Sequence, residues 1–325
     1  MPASEAVISE EFERRPHMTR QEAVNELTRF YTSVVHTEED KFRFEEAQRF
    51  LIDTFHDPND MHNLAWYYCE ERRFDLYQKY LELAASYGFH PAYEGLGYIW
   101  YYGQNGTVDY EKAFYWFSKA AECPDGLIRR ASEYKLADMY HNGYYVAKDE
   151  AKYKEIIERL YYLTLHPEEV DTFLSPEYLP NPGIYYRLAG IRAEEGRLDE
   201  ARDLLKEART MYAEYLRENP FWWGNIEEME TVVLMMWELF SDDIKHIDLY
   251  DIFHVAREEC RAAFLYNGRR FVIGCIREDG DMVIKFDGKW FRNVRAFLEK
   301  AKIDGRHLTT LYDELYGWEV YGDSY

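Results

Sequence analysis

Apolar residues recur at helical spacing through most of the first 240 positions. Thr19 with Glu22 has the pattern of a capping box, so a helix is predicted to begin there. A second helix is predicted over 40–55, and the turn-forming residues at 56–60 are predicted to end it. The buried face of the first helix is expected to contain Val24, Leu27 and Tyr31.

A two-helix pattern returns along the chain, most clearly at 92–121 and again at 131–160. A spacing of 40 residues separates three pairs of matching positions: Leu96 and Leu136, Gly103 and Gly143, and Asp109 and Asp149. Looser copies occupy 62–88 and 185–208. We expect the Gly after each first helix to be a left-handed cap, and small residues to let helices approach closely. Such units must stack to bury their apolar faces, which predicts an α-solenoid.

This pattern resembles the SEL-like repeat family, a relative of the tetratricopeptide repeat; the unit at 185–208 looks more like an ordinary tetratricopeptide repeat. The resemblance implies a scaffold that holds other proteins or peptides. The cysteine pair found in each repeat of some secreted bacterial members is absent here. We therefore predict a mainly α chain with a flexible N-terminus at 1–18, a helical repeat array at 19–241 and a small α+β domain at 251–325.

The pattern changes after a strongly apolar helix at 221–241, which is expected to be buried, to cap the array or to form a homo-oligomer contact. Short β-rich runs then alternate with Asn-Gly and Asp-Gly turns, which indicates antiparallel hairpins. Strands are predicted at 262–266, 270–276, 281–286, 289–291 and, at the sheet edge, 318–321. Helices are predicted at 251–260, 292–302 and 307–315, with Asp304-Gly305 ending the second.

The charge limits the classes of partner. There are 39 Lys and Arg residues against 61 Asp and Glu residues, giving a net charge of −22. Such a surface repels phosphate backbones, so direct nucleic-acid binding is not expected, whereas a basic protein partner fits. An acidic decoy of a nucleic-acid-binding protein is an alternative. The N-terminus has no secretory pattern, and no apolar run of membrane-spanning length occurs, so we expect a cytoplasmic protein with no membrane contact.

Candidate chemistry is sparse, and no cofactor, metal or catalytic residue is predicted. His254 and Glu258 lie one helical turn apart, with His246, Asp248 and Asp251 nearby, but scattered acids are common in so acidic a chain. The four cysteines, Cys69, Cys123, Cys260 and Cys275, lack metal-ligand spacing and are expected to be mostly buried thiols. An enzyme or ligand site in the C-terminal α+β domain remains an alternative.

The surface of the first helix of each unit is the predicted binding site. Positions left free by the repeat pattern are expected to face solvent and form an aromatic, acidic groove for a peptide with basic residues. These residues are His62, Trp66, Glu70, Glu94, Tyr98, Tyr101, Tyr102, Tyr134, Asp138, His141, Asn142, Tyr186 and Glu194.

Overall fold

A computed structural model describes residues 18–33, 35–170, 181–219, 223–278 and 281–322 of the 325. The predicted flexible segment 1–18 lies outside this range except for Met18. The described residues divide into two compact units. One reaches Tyr153 and includes Val170, and the other contains the rest. This division falls within a helix, and the predicted boundary between 241 and 251 stays a prediction.

Among the described residues up to 240, helices joined by short connections predominate, confirming the predicted α-helical repeats. In the first compact unit they are α1 Arg20–Thr32, α2 Glu38–Phe55, α3 Pro58–Glu70, α4 Phe74–Ser86, α5 His90–Tyr102, α6 Tyr110–Ala120 and α7 Gly126–Asn142. Helix α8 Glu150–Leu165 contains the division between the units. The second unit continues with α9 Pro182–Glu194, α10 Leu198–Glu218 and α11 Trp223–Phe240.

The two clearest repeats share one turn chemistry. After α5, Gly103 adopts φ +64° as the helix cap, and after α7 Gly143 adopts φ +69°. The Asp109 carboxylate then accepts a hydrogen bond from the backbone N–H of Lys112 at 3.0 Å, which caps α6. Asp149 does the same for α8 through Lys152 at 2.9 Å. The predicted left-handed glycine caps are therefore confirmed, and the aspartates cap the second helices.

The repeat also preserves a cation–π contact between the two helices of each unit. The Lys112 ammonium lies 3.9 Å from the ring centroid of Trp100. Forty positions later, Lys152 lies 4.1 Å from the ring centroid of Tyr140. This contact explains why Lys recurs on the second helix wherever an aromatic residue recurs on the first.

Close helix packing at the Leu-Gly pair is confirmed. A Cβ atom placed on Gly97 of α5 would lie 2.5 Å from the ring of Phe117 on α6. Phe117 is fully buried, so its ring fills the space that the missing side chain leaves. In the unit at 62–88 no glycine ends the first helix, and Arg72 takes the left-handed conformation with φ +57°.

Two details of the N-terminal prediction are wrong. The capping box of Thr19 and Glu22 is present, but α1 buries Ala23 while Val24 and Tyr31 are exposed. Its contact face is therefore rotated from the predicted one. The segment 56–60 is not only a turn, because Pro58 occupies the first turn of α3, where its missing N–H costs no helical bond.

The C-terminal region contains the predicted antiparallel sheet. Its strands are β1 Arg261–Tyr266, β2 Arg269–Glu278, β3 Asp281–Phe286, β4 Lys289–Phe291 and β7 Tyr316–Tyr321, in the order β4-β3-β2-β1-β7. Strands β5 Lys302–Ile303 and β6 Arg306–His307 form a separate small hairpin. Helix α12 Ile252–Arg257 precedes the sheet, and helix α13 Val294–Lys300 covers one face. Phe297 of α13 packs edge-on against Phe286 and Phe291 of that face.

Three C-terminal expectations need correction. Asp304-Gly305 does not break a helix but forms the turn between β5 and β6. The predicted last helix is a 3-10 helix over Thr309–Glu314. The short helix predicted at 251–260 is shorter, ending at Arg257. The predicted turn at Asp279-Gly280 lies outside the described residues.

The apolar helix α11 packs against its own chain. Val232 and Val233 are fully buried and Phe240 nearly so. The proposed homo-oligomer contact through 221–241 stays a prediction. No helix in the described ranges is both long enough and apolar enough to cross a membrane.

Candidate functional site

Lysine 135 of α7, which the sequence pattern did not single out, lies among the predicted binding tyrosines. Its side chain is 2% exposed and its Nζ donates a hydrogen bond to the Tyr102 hydroxyl at 2.7 Å. The Asp138 carboxylate is 3.6 Å away. The ammonium lies 4.9–5.9 Å from the ring centroids of Tyr98, Tyr101, Tyr102 and Tyr134. We call these four rings the tyrosine cage.

The tyrosine cage corrects part of the predicted groove. Tyr134 is only 7% exposed and Asp138 only 8%, so neither faces solvent as expected. The Tyr134 hydroxyl is within 2.7 Å of the Tyr98 hydroxyl, which holds α5 against α7. Tyr186 of α9 is likewise buried, with the Arg187 guanidinium 4.5 Å from its ring centroid. The physical reason is that an internal cation attracts the rings that we expected to be free for a partner.

Two other predicted residues make contacts at the end of α7. His141 Nδ1 lies 2.9 Å from a carboxylate oxygen of Glu150, and its ring lies against Tyr153. Asn142 is exposed, and its side-chain amide donates to the carbonyl of Asp138 at 2.8 Å. Both side chains therefore help to shape the turn into α8.

A second cluster, partly accessible to solvent, lies on α3, α4 and α5. Trp66 is 39% exposed and stacks in parallel on Tyr77, with ring centroids 6.1 Å apart. Tyr77 also approaches α5 next to Glu94. A Cβ atom placed on Gly95 would lie 3.0 Å from the Tyr77 hydroxyl. His62 lies against both Trp66 and Phe89. We call His62, Trp66, Tyr77 and Glu94 the Glu94 patch.

Glu94 is the distinctive polar group of this patch. It makes no hydrogen bond or ion pair within the part of the chain that the structure describes, although it is only partly accessible. The surrounding protein desolvates its carboxyl and raises the pKa to about 7. Desolvation also lowers the pKa of His62 to about 4, so this imidazole is neutral at pH 7. The patch therefore offers a single carboxylate, with no neighbouring imidazolium to neutralise it.

The remaining predicted binding residues, Glu70 of α3 and Glu194 of α9, are exposed, as expected. Although Glu70 is exposed, partial desolvation by the surrounding protein, followed by the charge of Glu71, raises the pKa of its carboxyl. Glu194 belongs to the second compact unit.

Two of the four cysteines are buried, and the metal candidate His254 stacks on an aromatic ring. Cys275 is buried, which raises the pKa of its thiol to about 12 and keeps it protonated at neutral pH. Cys123 is also buried, whereas Cys69 and Cys260 are partly exposed. His254 stacks on Trp237 at 3.8 Å. The possible ion-binding group found in the described ranges is His166, Glu168 and Glu169, which is largely exposed on the surface.

A cleft of about 500 Å³ in the second unit was not predicted. Its walls are the irregular segment 244–248 and the stretch from Tyr312 to Trp318, which includes the start of β7. Neither stretch has a sequence motif, because the cleft depends on where the chain places two segments that are about 65 residues apart. The predicted edge strand at 318–321 is the sequence feature that indicates one wall of this cleft.

Comparison with known proteins identifies the central repeats. The Sel1 repeat family matches residues 90–125 and 130–152. A solved structure, a Sel1 repeat protein from Oxalobacter formigenes, is 18% identical, with alignment over 70% of this chain and 94% of that one at a TM-score of 0.37. No curated protein matches the chain. Sel1 repeats generally mediate protein–protein interactions. The predicted resemblance of the central units to SEL-like repeats is therefore confirmed.

Proposed function

We propose that the chain is a non-catalytic scaffold whose Sel1 repeats bind a protein or peptide, and that the Glu94 patch receives a basic side chain of that partner. The unpartnered carboxylate of Glu94 is the observation that carries the proposal. A half-buried carboxylate without a counter-ion is unfavourable in the free protein. A Lys or Arg side chain would supply the missing charge-assisted hydrogen bond.

The aromatic part of the patch suits the same ligand. The exposed ring of Trp66 offers a face for the aliphatic stem of Lys or the guanidinium plane of Arg. Tyr77 is buried beneath Trp66 and fixes its orientation by stacking. Rigid aromatic residues supply contact area with little loss of conformational entropy. The tyrosine cage suits this role less well, because its rings already surround the Lys135 ammonium.

A peptide selection tests the proposal. A random dodecapeptide library displayed on phage is selected against the full chain, and the affinity of each enriched peptide is then measured by fluorescence anisotropy. We expect a class of peptides with Lys or Arg whose affinity falls at least about tenfold in Glu94→Gln and in Trp66→Ala. Glu122→Gln, which changes a carboxylate exposed on the surface, is the matched control and should bind like the wild type.

The same peptides should show a defined pH dependence. The Glu94 carboxyl is mostly protonated below its pKa of about 7, so a cation must displace a proton there. Affinity should therefore rise about tenfold from pH 6 to pH 8 and stay constant in Glu94→Gln. Basic peptides that bind Glu94→Gln as tightly as the wild type, or no basic class at all, would contradict the proposal.

A further inference from the structure

Strand β7 forms an outer edge of the five-stranded sheet. It pairs with β1 along one side, and within the described residues no strand pairs with its other side. An edge strand presents a row of backbone N–H and C=O groups that another extended chain can use. The opposite edge is the three-residue strand β4, which is much shorter than β7.

The cleft of about 500 Å³ adjoins this edge. Tyr316, Gly317 and Trp318 of β7 line one side, and the irregular segment 244–248 lines the other. The volume is in the range of about 300–1,000 Å³ that is usual for ligand sites. The cleft therefore lies between strand β7 and an irregular segment that does not pair with it.

A β-bulge shapes the start of β7. The register shifts between Ala263 and Leu265 of β1, so that Leu265 pairs with Tyr316. Gly317 has φ +63°, a conformation that glycine adopts without strain. Trp318 stacks on Phe264 at 4.6 Å, which anchors the strand to the core face of the sheet. The edge is thus held in place by its pairing with β1 and by the stacking of Trp318 on Phe264.

An exposed lysine in the cleft favours an anionic group at that point, because the carboxylates of the lining are already paired with arginines. Asp248 accepts hydrogen bonds from Arg209 at 2.7 Å and from the Tyr312 hydroxyl at 2.8 Å. Asp313 pairs with Arg217 at 3.2 Å. In contrast, Lys245 and His246 are exposed and have no polar partner among the residues that the structure describes. The charged side chain that the cleft lining leaves without an ion partner among the described residues is therefore Lys245, although the whole chain carries −22.

We propose that the β7 edge and its cleft bind an extended acidic peptide segment of a partner protein, which adds as a further strand to the sheet. Backbone hydrogen bonds to β7 would supply affinity, and alternate side chains of the peptide would enter the cleft. Ile244 and Ile247 offer apolar contacts, while Lys245 selects Asp or Glu. This site is independent of the Glu94 patch and requires the opposite charge of the ligand.

The experiment uses a random octapeptide library displayed on phage and selected against the full chain. We expect an acidic class whose affinity falls at least about tenfold in Lys245→Glu. Lys289→Glu makes the same charge reversal on β4 at the opposite edge and should leave this class unaffected. Hydrogen exchange of the peptide complex should show slower exchange of the backbone amides of 316–321.

Several results would overturn the proposal. These are the absence of an acidic class, acidic peptides that bind Lys245→Glu normally, and unchanged exchange at 316–321. Concentration-dependent self-association that protects the same amides would assign the edge to a second copy instead. Because Glu94→Gln and Lys245→Glu are measured separately, failure of this proposal can be distinguished from failure of the scaffold proposal.

Discussion

Lys135 is the residue whose surroundings differ most from what its type suggests. A fully buried lysine needs compensation for lost hydration. Here the compensation comes from the Tyr102 hydroxyl, the nearby Asp138 carboxylate and the faces of the tyrosine cage. The lysine therefore connects α5 with α7, between neighbouring repeats.

This arrangement predicts that Lys135→Met destabilises the fold although methionine has a similar length. Loss of the ammonium removes the cation–π contacts and takes one cation away from the buried Asp138 carboxylate, at a cost of about 2–4 kcal/mol. Urea unfolding followed by circular dichroism measures the change. Lys148→Met is the matched control, because Lys148 is exposed and its pairing with Glu150 should contribute less than about 1 kcal/mol. Equal stabilities of the two variants would refute a structural role for the cage.

The protonation of Glu94 depends on contacts that its neighbours in the sequence do not provide. Its repeat position predicted a solvent-facing carboxylate, whereas the side chain is only partly accessible. Its pKa of about 7 depends on desolvation by neighbouring helices, which no local pattern reports. Protonation near neutral pH therefore became part of the proposed function only through the tertiary structure.

At the scale of elements, the repeat pattern specifies both the turn and the helix contact. Asp109 and Asp149 cap their helices in the same way, and glycine in the left-handed conformation ends the helix before each. Gly97 has a further task, because Phe117 occupies the place of its side chain. The small residue is therefore required by packing rather than by backbone conformation.

Two glycine substitutions separate these effects. Gly97→Ala should lower stability by about 1–3 kcal/mol, since the new methyl group would overlap the Phe117 ring. Gly190→Ala in α9 is the matched control, because its Cβ would lie 3.8 Å from Met235, an ordinary contact. Alanine favours helix formation, so this control should be neutral or more stable by up to about 1 kcal/mol. Thermal unfolding of both variants measures the difference, and a Gly97→Ala variant as stable as the control would contradict the packing argument.

At the scale of the molecule, a buried charge network crosses the predicted boundary at 241–251. Arg209 of α10 contacts Asp248 at 2.7 Å and Asp251 at 2.8 Å. The Trp237 indole donates to Asp251 at 2.7 Å, and the Tyr312 hydroxyl donates to Asp248. The network joins two repeat-region helices to the segments before and after the sheet, all inside the second compact unit.

Removal of the central cation should affect this whole unit. Arg209→Ala leaves two carboxylates without their counter-charge, and we expect a loss of about 3–5 kcal/mol. Arg269→Ala breaks an exposed pair with Asp304 and should cost less than about 1 kcal/mol. Urea unfolding, with limited proteolysis to locate the cleaved segments, measures both. If Arg209→Ala exposed only 251–325 to the protease while α10 stayed protected, the network would not join these segments.

The sequence by itself determined the elements that depend on local chemistry. Helix spacing, the caps at Thr19, Gly103 and Asp109, and the hairpin at Asn267-Gly268 follow from residues within a few positions of each other. The 40-residue repeat also showed that units must stack, since neither helix pair can bury its face alone. This was sufficient for the fold class, whereas the binding face stays a prediction.

The tertiary structure decided which of those surface positions stay free. Tyr134 and Asp138 became buried because Lys135, 33 positions after Tyr102, reaches back to that hydroxyl from the next repeat. The cleft beside β7 exists because the Tyr312 hydroxyl donates a hydrogen bond to Asp248, which brings two distant segments together. Burial, pKa values and clefts arise from contacts between distant segments, whose strength depends on local dielectric and geometry rather than on spacing along the chain.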